Sequence, residues 1–247
     1  MPFEPGRAMP LSDPAPFTRA FRRLGKPVCL VPVLSDTLHA GHFALIRAAR
    51  SVPGAVTLVA APFAVQGLEK ERVDATWHYD PRELTPRIGF DYEPLNPEVP
   101  DKLARLIALS NSVGASDMFL GEKDYELLVI TQRVVNDYRL PLKLHSVPVV
   151  RMPDGLAVSG RNVRVPESER ELALVLAASL TAGVHAAQGD SVGAALGVFE
   201  AAGIAPLYLE LRGLGLGPAP REGDVRLLGG VELPCGVVLH DSVGWAR

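Results

Sequence analysis

Two imidazoles bracket a glycine in Leu38-His39-Ala40-Gly41-His42, and this is the first place in the chain where residue types and spacing suit chemistry. At a strand-to-helix turn, both rings and the open backbone N–H groups of the next helix would aim at one ligand. Imidazole N–H groups held that way can stabilise charge building on an attacked phosphate. Gly41, having no Cβ, would let a nucleotide approach the backbone. Two further segments add cations: Gly121-Glu122-Lys123-Asp124-Tyr125 and Val158-Ser159-Gly160-Arg161-Asn162. Lys123 offers a compact point charge of the kind used on transferring phosphates. Asp124 can take a ribose hydroxyl, orient Lys123 or cap the helix that follows. Arg161, in a loop loosened by Gly160, can close over phosphates with charge-assisted hydrogen bonds. Each of the last two segments alone is an ordinary turn, and they gain meaning only in company with the histidines. No acidic or Cys ligand stands at metal spacing beside His39 and His42, so no protein-bound metal is expected.

The elements that must position these groups can be read from periodicity. Pro27–Leu34 is a nearly continuous apolar run, as in a strand covered on both faces. The pattern predicts a helix over Phe43–Ala49, a strand over Val56–Ala60, a helix over Lys102–Val113, a short strand over Asp117–Leu120, a helix over Tyr125–Tyr138 and a strand over Leu142–Val150. Strand and helix alternate, which argues for right-handed crossovers and a doubly wound parallel sheet. In such a sheet, ligands sit at the carboxyl ends of the strands, so the three segments are expected to meet over one crevice. Residues 62–100 are less legible, with one candidate strand near Ile88–Tyr92. From Arg151 the pattern changes to a long Ala/Leu-rich helix over Glu167–Ala187, a helix capped by Asp190 and ending at Gly203, and strands over Pro206–Leu211, Val225–Leu233 and Gly236–His240. The expectation is an α/β chain with a Rossmann-like domain over 1–150 and a small α+β lid over 151–247. Residues 1–16 carry Pro2, Pro5, Pro10, Pro14 and Pro16 and read as a loose arm. A short helix is expected over Phe17–Leu24.

Composition removes several classes of function. A net charge of -3 argues against a non-specific nucleic-acid or anionic-membrane surface. No apolar run reaches the length of a membrane span, and the N-terminus lacks the pattern of a secretory signal. Only Cys29 and Cys235 occur, and Cys29 inside a strand-like run reads as a buried, inert thiol, so a reducing cytoplasm is expected. There is no G-x-G-x-x-G after the first strand and no G-x-x-x-x-G-K-[ST], which disfavours a dinucleotide or P-loop enzyme. His78, His145, His185 and His240 have no partner at a telling spacing and read as structural.

In this order, the three segments resemble the pantothenate synthetase (pantoate–β-alanine ligase) family, within the nucleotidyltransferase superfamily that shares H-x-G-H. The likeness takes in Leu38–His42 with Leu45–Ala49, Phe119–Tyr125, Val147–Arg151, Asp154–Asn162 and Tyr208–Arg212. The resemblance implies a two-step reaction in which pantoate is adenylated by ATP and β-alanine then displaces AMP. Mg²⁺ would ride mostly on the phosphates. It also implies that His39 and His42 hold the phosphates, with His42 as proton donor, and that Lys123 and Arg161 neutralise them. Ser35, Leu38, Gly41, Gly121, Glu122, Asp124, Val150, Val158, Ser159 and Gly160 would then border the nucleotide. A homodimer formed through the first domain is implied in the same way, with small molecules as the only other partners.

The departures from the family pattern fall on one side of the implied site. Ser35 and Asp36 stand where the family has Met-Gly, and Gly160 where it has a second Ser. Gln66 can replace one pantoate-holding Gln only with a one-residue shift, and the other is Leu127. The R-P-x-H-F-x-G segment is missing, as is about a hairpin's worth of chain before Pro100. ATP-facing residues are kept while acid-facing ones are not, and loss of an amide from a polar pocket changes discrimination strongly. The leading reading is therefore ATP-dependent amide ligation of the pantothenate-synthetase type. Two alternatives stand beside it: the same chemistry on a different, less polar acid, or a non-catalytic nucleotide-binding or interaction paralogue.

Overall fold

The computed structural model describes residues 3–84 and 92–247. The chain divides into two compact units: Met1–Gly121 with Ile130–Val147, and Glu122–Val129 with Pro148–Arg247. Among the described residues, no helix is long and apolar enough to cross a membrane.

The first unit is built on a six-stranded parallel sheet in the order β1-β4-β3-β2-β5-β6. Its strands are β1 (Met9–Leu11), β2 (Val28–Pro32), β3 (Val56–Ala61), β4 (Ala75–His78), β5 (Asp117–Gly121) and β6 (Lys143–Val147). Both faces of β2 and β3 are buried, as their unbroken apolar runs require. The helices are α1 (Pro14–Arg23), α2 (Ala40–Arg50), α3 (Val99–Val113) and α4 (Tyr125–Asp137), of which α4 begins among the residues of the second unit. From β2 the chain winds through α2 to β3 on one side, while β5 and β6 lie on the other. The strand order thus reverses between β2 and β5, which places a topological switch point at the carboxyl end of β2. Beneath it lies a core that includes Cys29, Val31, Ile46, Val59 and Phe119.

Residues 9–16 are not a loose arm. Met9, Pro10 and Leu11 pair with Ala75, Thr76 and Trp77 as the sheet's outermost strand, β1 against β4. Asp13 then caps α1 by accepting the Ala15 N–H at 2.9 Å, and Pro14 fills the first helical position, where its missing N–H costs nothing. Asp74 ties this segment down, since one carboxylate oxygen accepts the Gly6 N–H and the other the Thr57 N–H, each at 2.8 Å. Phe3, Phe17 and Phe21 pack edge to face beside it. β4 lies hidden in the illegible middle of the sequence. The strand expected near Ile88–Tyr92 falls, apart from Tyr92, outside the described residues.

The second unit is an α+β layer. Helices α5 (Arg170–His185) and α6 (Ser191–Ala201) pack on a three-stranded antiparallel sheet of β7 (Pro206–Gly213), β8 (Asp224–Glu232) and β9 (Val238–Ala246). Asp190 caps α6 as expected, accepting the Gly193 N–H at 2.8 Å. Leu176, Leu180, Phe199, Leu227 and Leu239 are among the residues of its core. The expected long helix over Glu167–Ala187 is shorter by one turn at its start, where Glu167–Glu169 form a 3-10 turn.

Candidate active site

In the first unit, His39 is the extended residue before α2 and His42 lies in that helix's first turn. The His39 N–H donates to Nδ1 of His42 at 3.3 Å, and the His42 N–H donates to the His39 carbonyl at 2.9 Å. The two rings stand 4.0 Å apart, tilted by 35°. Because Nδ1 of His42 accepts, its remaining proton sits on Nε2, which leaves that N–H as its donor. Burial, and then the neighbouring His39, hold the His42 pKa down to about 3, so the ring is neutral in the physiological range. Gly41 has a local reason to be glycine: a Cβ there would lie 3.0 Å from two atoms of the His39 ring. Its missing side chain makes room for a histidine, not only for a ligand. Ser35 turns inward on its own loop, with its hydroxyl donating to the Thr37 carbonyl at 2.9 Å. Leu38 is half-buried against the core, Gln66 is exposed and Gly121 closes β5.

In the second unit, Lys123 sits in a 3-10 turn, Glu122–Asp124, and pairs with Asp124 at 3.0 Å. The turn is held by residues that spacing does not single out. Arg226, on β8 and 7% exposed, donates to one Glu122 carboxylate oxygen at 3.0 and 3.2 Å and to the Ser242 hydroxyl at 3.2 Å. Its guanidinium lies 4.0 Å over the Tyr125 ring, while the Ser242 hydroxyl donates to the Glu122 carbonyl at 2.6 Å. The Glu122 carboxylate is therefore engaged in fixing the backbone beside Lys123. These bonds give Glu122–Val129 a place in the second unit, although the sequence pattern puts the segment in the first domain.

Val150 and Val158 close a short hairpin, with the Val158 N–H donating to the Val150 carbonyl at 2.9 Å. Ser159 caps the 3-10 turn Gly160–Arg164 by accepting the Arg161 N–H at 3.2 Å, and one Arg161 guanidinium N–H donates to the Val238 carbonyl at 3.1 Å. Lys123, Ser159, Arg161, Asn162, His240 and Asp241 line one pocket of this unit. Residues separated by more than thirty positions thus converge, bringing two of the expected cations together. Asp241 is neutralised by Arg151 through bonds of 2.6 and 3.1 Å. Asn162 donates to the Ala157 carbonyl at 3.0 Å, and its buried Oδ1 has no hydrogen-bond partner among the described residues. His240 reads as structural from its isolation in sequence. Only the strand pairing of the second unit brings it to the pocket. Leu127, at the place of a family glutamine, is buried.

A switch-point sheet with paired helix-start histidines, and an α+β unit with a basic pocket, define an α/β nucleotide-handling class of protein. The pantoate-beta-alanine ligase family model matches residues 103–212. A pantothenate synthetase of Corynebacterium jeikeium is 36% identical over 269 residues, covering 92% of this chain and 87% of the relative. One of Mycobacterium avium is 36% identical over 252 residues, covering 87% and 82%. The crystal structure of pantothenate synthetase from Thermus thermophilus matches with a TM-score of 0.79 at 24% identity, covering 95% of this chain and 98% of that one. A pantoate-beta-alanine ligase from Francisella tularensis, complexed with beta-gamma ATP and beta-alanine, matches with a TM-score of 0.66 at 17% identity over 96% and 97%. The chain belongs to the pantoate–β-alanine ligase family.

Proposed function

We propose that this protein is an ATP-dependent ligase that condenses pantoate with β-alanine through an acyl adenylate. The observation that carries the reading is the convergence of Lys123, Ser159 and Arg161 on one pocket of the second unit. Family membership supplies the substrates: relatives over most of the chain are pantothenate synthetases.

In the first step a pantoate carboxylate oxygen attacks the α-phosphorus of ATP, and the bond to the β-phosphate oxygen breaks to release pyrophosphate. In the second, the β-alanine amine attacks the acyl carbon, loses a proton and expels AMP. Lys123 and Arg161 are assigned to the phosphate charge. Arg161 keeps its guanidinium oriented through Val238, and Lys123 keeps its place through the Glu122 turn. His39 and His42 are assigned to the phosphate oxygens. His42, neutral and with Nδ1 occupied, serves as an Nε2–H hydrogen-bond donor and not as an imidazolium acid. Ser35, Leu38, Gly41, Gly121, Asp124, Val150, Val158, Ser159 and Gly160 are assigned to the nucleotide's border, Glu122 to support of Lys123, and Gln66 to the acid. Mg²⁺ is assigned to the triphosphate, where it would neutralise charge on the leaving group while keeping mainly phosphate and water ligands. Among the described residues, no three His, Cys, Asp or Glu side chains are grouped to hold a metal. The proposal extends to a nucleotide domain ending near Val150, a lid over 151–247, a homodimer and a cytoplasmic setting. Both cysteines are free, and burial pushes the Cys29 thiol up to about 12, which suits a reducing compartment.

ATP–pyrophosphate exchange with Mg²⁺ and pantoate tests the reading. Exchange that falls by about 10²–10³ in His42→Ala supports it. Exchange with another carboxylic acid but not pantoate would mean a different substrate, and none with any acid would refute ligation.

A further inference from the structure

His240 lies on β9, where its ring is 5% exposed and lines the pocket that also holds Lys123 and Arg161. Strand pairing explains how it comes to be held there. Tyr208 on β7 pairs with Gly230 on β8, and Gly230 pairs in turn with His240, so the three form one row across the sheet. The middle position has no side chain, and the two outer rings reach across it. Tyr208 and His240 stack with centroids 5.9 Å apart at 18°, and the Tyr208 hydroxyl meets Nδ1 of His240 at 3.1 Å. A Cβ on Gly230 would come within 2.5 Å of the Tyr208 ring and 3.0 Å of that same Nδ1. Glycine at 230 is thus a condition of the pair.

The hydrogen bond also sets the tautomer. Burial, reinforced by the carboxylates of Asp124, Glu126 and Asp241, pushes the Tyr208 phenol well above its ordinary value, so the hydroxyl keeps its proton and donates. Nδ1 of His240 then accepts, and its proton resides on Nε2. The one carboxylate lining the pocket among the described residues, Asp241, is already neutralised by Arg151. The pocket therefore presents a lysine, an arginine and an oriented imidazole N–H, which is a donor set for an anion with several oxygens.

We propose that His240, oriented by Tyr208, is a third phosphate-binding donor of the Lys123–Arg161 pocket. The inference rests on the assignment of that pocket to ATP phosphates, and it adds a ligand-contacting residue from the far end of the chain. The energy of one hydrogen bond to a charged group corresponds to about tenfold or more in affinity.

Calorimetric titration of ATP and of adenosine into the full chain tests this without relying on turnover. His240→Ala is expected to weaken ATP about tenfold or more and to leave adenosine unchanged. His240→Gln, which keeps an N–H donor, should retain part of the affinity, and Tyr208→Phe, which keeps the imidazole but frees it to turn, should fall between. If His240→Ala does not fold, His240→Gln and Tyr208→Phe decide the matter by the same comparison. ATP affinity within twofold of the parent in every folded variant would overturn the proposal, as would equal weakening of ATP and adenosine. A parent chain that binds ATP but shows no pyrophosphate exchange refutes the ligase reading alone. A parent that does not bind ATP overturns both.

Discussion

Replacing Arg226 by methionine keeps most of the buried stem and removes the guanidinium that holds the Lys123 turn. The loss can be worked from the contacts. Two charge-assisted bonds to Glu122, one to Ser242 and the stacking over Tyr125 all go at once. Breaking a buried pair by removing one partner costs about 3–5 kcal/mol, because the other charge stays behind uncompensated. Glu122 keeps a side-chain exposure of 25% and can recover some hydration, which puts the expectation at the lower end, about 3 kcal/mol. For a unit of this size that lowers the melting temperature by on the order of 10 °C. The assay is thermal unfolding of the full chain followed by circular dichroism, repeated with Glu122→Gln and with the double variant. The double variant should recover a good part of the loss, since it leaves no stranded carboxylate. A single variant melting within about 1 °C of the parent would refute the claim that Arg226 fixes this turn. So would strictly additive effects of the two substitutions.

The remaining expectations concern the first unit. Gly41→Ala should leave stability unchanged or raise it by about 1 kcal/mol through helix propensity. The same change should lower pyrophosphate exchange, because the new methyl displaces the His39 ring; unchanged exchange would show that the ring's position is immaterial. Asp74→Ala strips acceptors from the Gly6 and Thr57 N–H groups and should cost about 2 kcal/mol, with faster proteolysis near residue 6, while Asp74→Asn should lose less. His42 also predicts a pH dependence. Its pKa falls from 6.5 to about 3 on folding, so the unfolded chain binds the proton first as pH drops. Its contribution is fully present above pH 6.5 and is lost toward pH 3, at about 1.4 kcal/mol per pH unit. Urea unfolding of the parent and of His42→Gln across this range should show a shallower slope in the variant.

Much of this architecture can be read from local pattern, and the exceptions have physical causes. β2 and β3 announce themselves because a strand covered on both faces must be apolar at every position. The proline-rich start of the chain hides β1 because a three-residue strand has no period to detect, and its pairing with Ala75–Trp77 is a long-range event. β4, four residues long, escapes for the same reason. In the site, His39 and His42 stand out because one turn of helix joins them. Lys123 and Arg161 need their company to be noticed. His240 and Arg226 give no local signal of their partners, since Gly230 and the strand register are what bring them to Tyr208 and Glu122. Arg226 does leave a trace: it is a lone cation within the apolar run Val225–Val231 of a strand whose interior is buried throughout.

The two margins of the six-stranded sheet have a bearing on how the chain behaves at high concentration. A long, bare outer strand invites a second molecule to extend the sheet. Here one margin is only three residues long and has Pro10 at its centre, which offers no N–H to an incoming strand. The other is β6, with Pro141 before it, Pro148 after it and the exposed Lys143 at its first position. The prolines that blur the reading of the N-terminus thus help to keep the sheet finite and guard against strand-by-strand aggregation.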